Sequence, residues 1–170
     1  MTLIQILGYG VGAIAVLAAS TMLLPRNVVV QRSGTVAAAP AAILALAVSN
    51  EGYQKFNPYV KADPALKLEM YGPATGVGSG FKFDGKDGKG TAVVTKISAD
   101  SVDYALDLGS NGKPNQTITA VAEGAGSKVT WTMNADMGNN PIGRVVGLFL
   151  DGMIGKSFES GLKLMNETVK

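Results

Sequence analysis

The chain carries little of the usual chemistry of catalysis. It has no histidine and no cysteine, which excludes disulfides, thiol nucleophiles, thiolate metal sites and imidazole acid–base catalysis; structural zinc sites are built from those two residues. Acid–base work would fall to carboxylates, phenols, Lys or Arg. Asp103 and Asp107 stand four apart and would share one face of a strand. They alternate with Val102, Tyr104, Leu106 and Leu108, so those four are expected to point inward and the carboxylates to face water. Asp136, just past the Trp131 segment, reads as a cap or neighbour of a helix. Asp84 and Asp87 hint at calcium but lack the longer oxygen series and terminal Glu of an EF-hand loop, and a solvated hairpin turn is expected there. No metal site, cofactor or catalytic residue is assigned.

Glycine offers a second kind of chemistry. Residues 72–90 hold seven glycines in 19 positions, a density that suggests a phosphate cradle. The run Gly76-Val77-Gly78-Ser79-Gly80-Phe81 places Phe81 where a dinucleotide loop needs its third glycine. Gly155-Lys156-Ser157 has the ending of a P-loop, but Leu150 occupies its first glycine position and the segment lies inside a predicted helix. The expected role of these glycines is a bent strand. Asn115-Gln116-Thr117 and Asn166-Glu167-Thr168 match the glycosylation sequon and are read as chance.

What remains is a set of side chains suited to an apolar ligand, since such sites are mostly greasy with a few convergent polar groups. The candidate ligand-binding residues are Phe56, Tyr59, Phe81, Phe83, Tyr104, Trp131, Met133, Arg144, Phe149 and Met153. Tyr53 and Phe158 belong to the same aromatic population, most of which must be core. Tyr104 falls on an inward register, where its hydroxyl needs a partner. Arg144 lies in the first turn of a predicted helix and is a candidate for an anionic head group.

The elements that position these residues follow from patterning. The chain has 170 residues, 15 basic against 13 acidic, for a net charge of +2, which does not suggest nucleic acid. Residues 3–24 carry no charge, and as a helix they would run about 33 Å against a hydrocarbon core of about 30 Å. A transmembrane anchor over residues 1–25 is therefore expected, ended by Pro25 and Arg26. A cleaved signal peptide with Ala18-Ala19-Ser20 as its site is the rival reading, but no basic residue precedes the apolar run. Arg26 and Arg32 lean the following domain toward the cytoplasmic side of a bacterial inner membrane.

Residues 26–170 read as one domain. Asn27–Val36 is a first strand. A short helix starts at Pro40, which suits a first helical turn, and a second is capped by Ser49 or Asn50 and ends near Phe56. Strands follow over 66–71, 76–84, 91–99, 102–108, 117–123 and 128–135, separated by turns at Asp84–Gly90, Ser110–Pro114 and Gly124–Gly126, as in an antiparallel meander. Asn140-Pro141 then caps a long amphipathic helix, with Ile142, Val146, Phe149, Met153, Phe158, Leu162, Met165 and Val169 on one side. A single sheet must cover its apolar face, and only this helix is long enough. The expectation is an α+β fold in which the curved sheet wraps around the helix and leaves a gap between them.

That order resembles the START/Bet v 1-like superfamily, also called SRPBCC or polyketide cyclase/dehydrase-like, whose fold is a helix-grip. Several stretches resemble its membrane-anchored bacterial branch: Pro25-Arg26 before Val28–Val30, Phe56-Asn57-Pro58-Tyr59 before Asp63-Pro64, Gly72-Pro73-Ala74-Thr75-Gly76-Val77-Gly78, Thr130-Trp131-Thr132-Met133, and Gly161-Leu162-Lys163. Phe56 and Tyr59 stand where that branch usually has tryptophans. The resemblance spans residues 25–170 and implies a fold more than an activity, because members bind lipids, sterols, polyketides or quinones.

The functional expectation is a membrane-tethered module that binds or transfers a lipid-like or other apolar small molecule in an internal cavity. The alternatives are a cyclase or dehydratase-type enzyme, with polar acid–base groups clustered in the cavity, and a partner-binding protein with a filled core. A cavity far below the usual range of roughly 300–1,000 Å³ would favour the filled core.

Overall fold

The computed structural model describes residues 3–169; residues 1, 2 and 170, at the outer ends of the two expected segments, lie outside the described residues. Helix α1 covers Leu3–Ser20 and is followed by a single 3-10 turn, Thr21–Leu23. Strand β1 is Asn27–Val36. Three short helices come next: α2 Pro40–Ala47, α3 Asn50–Phe56 and α4 Pro58–Ala62. Six strands follow: β2 Lys67–Tyr71, β3 Gly80–Gly85, β4 Gly88–Ile97, β5 Ser101–Asp107, β6 Asn115–Glu123 and β7 Gly126–Asp136. Helix α5, Pro141–Thr168, closes the chain.

The strands form one antiparallel sheet in the order β1-β7-β6-β5-β4-β3-β2, a meander whose last strand returns to pair with the first. On the concave side, alternation places Val30 and Val36 of β1, Val102 and Tyr104 of β5, Ile118 and Ala120 of β6, and Val129, Trp131 and Met133 of β7. Helix α5 lies over the β1–β7 side, where Phe158, Leu162 and Met165 are buried. Helix α2 covers β6 and β5, and α3 packs on α5. The helix-grip arrangement of curved antiparallel sheet and C-terminal helix is therefore present.

The expected transmembrane anchor is not. The helix stops at Ser20 after 18 residues, about 27 Å at 1.5 Å per residue. Among the described residues, no helix is long and apolar enough to cross a membrane. Two side-chain hydrogen bonds lie at its end. The hydroxyls of Ser20 and Thr21 donate to the carbonyls of Leu17 and Ala18, both at 2.7 Å. Beyond them, the carbonyls of Met22 and Leu24 accept from the Arg144 guanidinium, which ties the 3-10 turn to α5. The single-pass inner-membrane location and its cytoplasmic orientation fall with the anchor.

The short helices number three rather than two. Asn57 accepts from the Tyr59 N–H at 3.1 Å and Pro58 fills the first turn, the same cap-and-proline pair that starts α5 at Asn140-Pro141. The glycine-rich stretch also differs from a continuous bent strand. Gly72, Gly76 and Gly78 have φ of 71°, 93° and 88°, so the chain loops before β3 begins at Gly80. That loop reaches back to the α2–α3 junction: Gly76 N–H donates to Val48 O and Asn50 N–H to Ala74 O, both at 3.0 Å.

Candidate functional site

Because α5 sits over the β1–β7 side, the concave face toward β3, β4 and β5 has no long helix above it. A cavity of about 420 Å³ remains there. Its floor is made of side chains in adjacent register. Phe81, Ala92 and Leu106 align across β3, β4 and β5, and Gln116 pairs with Met133 across β6 and β7. Phe83 extends the β3 wall, its ring 6.3 Å from that of Phe81. The opposite wall comes from the helices: Tyr53 of α3, Tyr59 of α4, and Met153, Ile154 and Ser157 of α5, with Asn57 between α3 and α4. Asp63 and Leu66 after α4, Gly85, Asp87 and Gly88 of the β3–β4 hairpin, and Leu108 after β5 complete the lining.

The walls are aromatic and their polar groups are few. Tyr53 is central, with ring centroids 4.8 Å from Phe56, 5.1 Å from Phe81 and 5.4 Å from Tyr104. Burial pushes the Tyr53 phenol well above its ordinary range, and the neighbouring Tyr59 adds to this. Burial also raises Tyr59, opposed by its hydrogen bond with Ser157 and reinforced by Asp87. Both phenols are therefore neutral near pH 7 and suited to hydrogen bonding rather than proton abstraction. Asp63 is committed to the turn. Its carboxyl accepts from the backbone N–H groups of Lys86 at 2.8 Å and Ala65 at 3.1 Å, and the Lys86 bond is the leading cause that holds it below the usual carboxylate range. The arrangement offers hydrogen bonds at a few points in an otherwise apolar space.

A second hollow, of about 520 Å³, is open and walled by Lys67, Glu69, Lys82, Asp84, Lys89 and Asp107 among others. Of its wall charges, Lys82 pairs with Glu69, and Asp107 pairs with Lys113 outside the lining, both at 2.8 Å. The more enclosed, aromatic-walled cavity is the candidate site. Among the described residues, no group of three or more metal-ligating side chains comes together.

Of the residues singled out from the sequence, Tyr59, Phe81, Phe83, Met133 and Met153 line this cavity. Phe56 and Trp131 do not; both are fully buried in the core, their rings 5.7 Å apart. Tyr104 is buried and its hydroxyl donates to Ala47 O at 2.6 Å, pinning α2 to the sheet. Arg144 is not available to an anionic head group. It is buried, and it donates to the carbonyls of Gly138, Met22 and Leu24. Phe149 is 62% exposed on α5 and outside the cavity. Asp103 accepts from Thr117 Oγ1 at 2.7 Å, and Asp136 pairs with Arg26 at 2.7 Å; neither lines the cavity.

Sequence reasoning missed Tyr53 as a wall residue and Gln116, Ser157, Asn57 and Ala92 altogether. Gln116 had a readable signal. Ile118 and Ala120 are inward positions of β6, and stepping back two residues from Ile118 places a polar amide on the same face. Starting the strand at Thr117 hid it.

A family model described as polyketide cyclase / dehydrase and lipid transport matches residues 27–170. No curated protein matches the sequence. Similar solved structures include a norcoclaurine synthase from Thalictrum flavum, at 16% identity and TM-score 0.65, covering 85% of this chain and 97% of that one. Protein CV1439 from Chromobacterium violaceum is 11% identical with TM-score 0.61, covering 83% and 96%. Protein Ms6760 from Mycobacterium smegmatis is 11% identical with TM-score 0.59, covering 84% and 90%. At these identities the likeness is one of fold.

Proposed function

The chain belongs to the polyketide cyclase/dehydrase and lipid transport family, within the START/Bet v 1-like (SRPBCC) superfamily, and from that premise we propose that it binds, and hands on, an apolar small molecule held between α5 and the β3–β5 face of the sheet. The observation that carries this reading is the cavity itself. At about 420 Å³ it falls within the usual range for small-molecule sites, roughly 300–1,000 Å³. A filled core would leave far less. The Thalictrum protein is a synthase in complex with a transition-state analogue, so the same fold supports chemistry elsewhere. Here the two phenols are held neutral by burial and Asp63 is occupied by backbone donors. These features favour recognition over turnover.

Binding would draw on burial of apolar ligand surface at about 25 cal/mol per Å², with Met153 and Met133 adapting to shape. The test is direct. The full chain is titrated with N-phenyl-1-naphthylamine, a neutral apolar fluorophore, and solvent extracts of the purified protein are read by mass spectrometry. Saturable one-to-one enhancement with micromolar affinity, or a stoichiometric co-purified apolar molecule, supports the reading. A flat titration together with empty extracts overturns it.

A further inference from the structure

Resting on that reading, we infer that the cavity is built for a neutral ligand carrying a carbonyl-type hydrogen-bond acceptor, and that the Gln116 side-chain amide is the group that recognises it. Gln116 is 7% exposed and lines the cavity. Trp131 Nε1 donates to Gln116 Oε1 at 3.3 Å. An indole N–H can only donate, so the amide has one sensible orientation, with its oxygen toward Trp131 and its Nε2 turned away from it. Gln116 Nε2 has no acceptor among the described residues. It is also not sealed in: the buried, unpartnered side-chain atoms among those residues are Gln54 Nε2 and Ser79 Oγ. Gln116 Nε2 therefore opens onto the cavity as a fixed donor in a low-dielectric wall, where an unmet hydrogen bond is costly.

Charge narrows the class further. Among the described residues no Lys or Arg lines the cavity, while Asp63 and Asp87 do. A carboxylate would enter a space whose described lining holds two acidic side chains and no basic one, and would lose its hydration without a direct cationic partner. A plain hydrocarbon would leave the Gln116 donor unpaired. An apolar ketone, ester, amide or quinone meets both conditions.

The experiment displaces N-phenyl-1-naphthylamine from the full chain at pH 8 with three molecules of similar size: 4-phenyl-2-butanone, 4-phenylbutanoate and butylbenzene. The ketone is expected to displace the probe at least about tenfold more tightly than the carboxylate. In Gln116→Leu, the ketone-to-butylbenzene affinity ratio, both competitors being read against that variant's own probe affinity, is expected to fall about tenfold. Gln116→Met serves as the second variant should the leucine protein fail to fold, and the wild-type comparison needs no variant. Equal or stronger carboxylate binding, or an unchanged ratio in a folded variant, overturns this inference and leaves apolar binding standing. Failure of the wild-type chain to take up the probe, together with empty solvent extracts, overturns both.

Discussion

The indole of Trp131 and the ring of Phe158 lie stacked, with centroids 4.7 Å apart and planes 9° from parallel. This contact is the seam along which α5 closes on the sheet. One turn further on, Gly161 presents bare backbone to the same indole, and a Cβ there would overlap the Trp131 ring edge. The seam holds the C-terminal half of α5 tight against β1 and β7. In the middle of the helix, Met153, Ile154 and Ser157 instead border empty space. The hollow exists because the helix is anchored toward one side of a sheet wider than itself.

Gly161→Ala should therefore overpack the seam. The expected loss is about 1–3 kcal/mol, seen as a lower urea midpoint at unchanged slope, with an altered near-ultraviolet signal from the single tryptophan. Unchanged stability would mean that α5 can ride outward freely.

Tyr104→Phe removes the hydroxyl that donates to Ala47 O and leaves that carbonyl unpaired in the core. A loss of about 1–2 kcal/mol is expected. Affinity for N-phenyl-1-naphthylamine should stay within about twofold, because the tyrosine does not line the cavity. A large loss of binding would contradict this placement.

Arg144→Met frees the carbonyls of Gly138, Met22 and Leu24. Hydrogen bonds from a charged, buried donor contribute about 1.5–3 kcal/mol, so stability should fall by about that much. Limited proteolysis should open near residues 21–26. A variant that resists protease as the wild type does would show that this clasp is not needed.

Asp136 ties the end of β7 to Arg26. The Arg26 hydrogen bond is the leading cause that lowers its carboxyl to about 2. The folded value lies below the unfolded value of about 3.9, so the pair's stabilisation is present above that pH and is lost as pH falls through about 2. Asp136→Asn keeps an acceptor for the Gly138 N–H but removes the charge. The gap between wild-type and variant melting temperatures should be constant near neutral pH and close between pH 4 and pH 2. A gap that persists at pH 2 would rule out the ion pair as its source.

Ala92 stands on the cavity floor beside Phe81 and Leu106. Ala92→Phe should fill the space, weakening the fluorophore by more than about tenfold while the far-ultraviolet spectrum is kept. Full binding by a folded variant would place the probe elsewhere.

Much of the fold was legible in local pattern. The Asn140-Pro141 cap and the three-and-four spacing to Val169 mark α5, and period-two alternation with Gly and Asn turns marks six strands in order, because caps, turns and amphipathic periods are properties of neighbouring residues. Side-chain type, aromatic or thioether, likewise marked Phe81, Phe83 and Met133 as candidate wall residues. The missing pieces depended on distant partners. An uncharged run predicts a span until the carbonyls of Met22 and Leu24 meet an arginine 122 and 120 residues away. Arg144 and Tyr104 looked available until the backbone groups that claim their donors came into reach. Gln116 became a fixed donor only through Trp131 on the next strand. Composition and period determined which elements form and which faces are apolar; only packing decided which side chains fill the core, which polar groups are already satisfied, and where α5 leaves room for a ligand, because those depend on contacts between residues far apart in the chain.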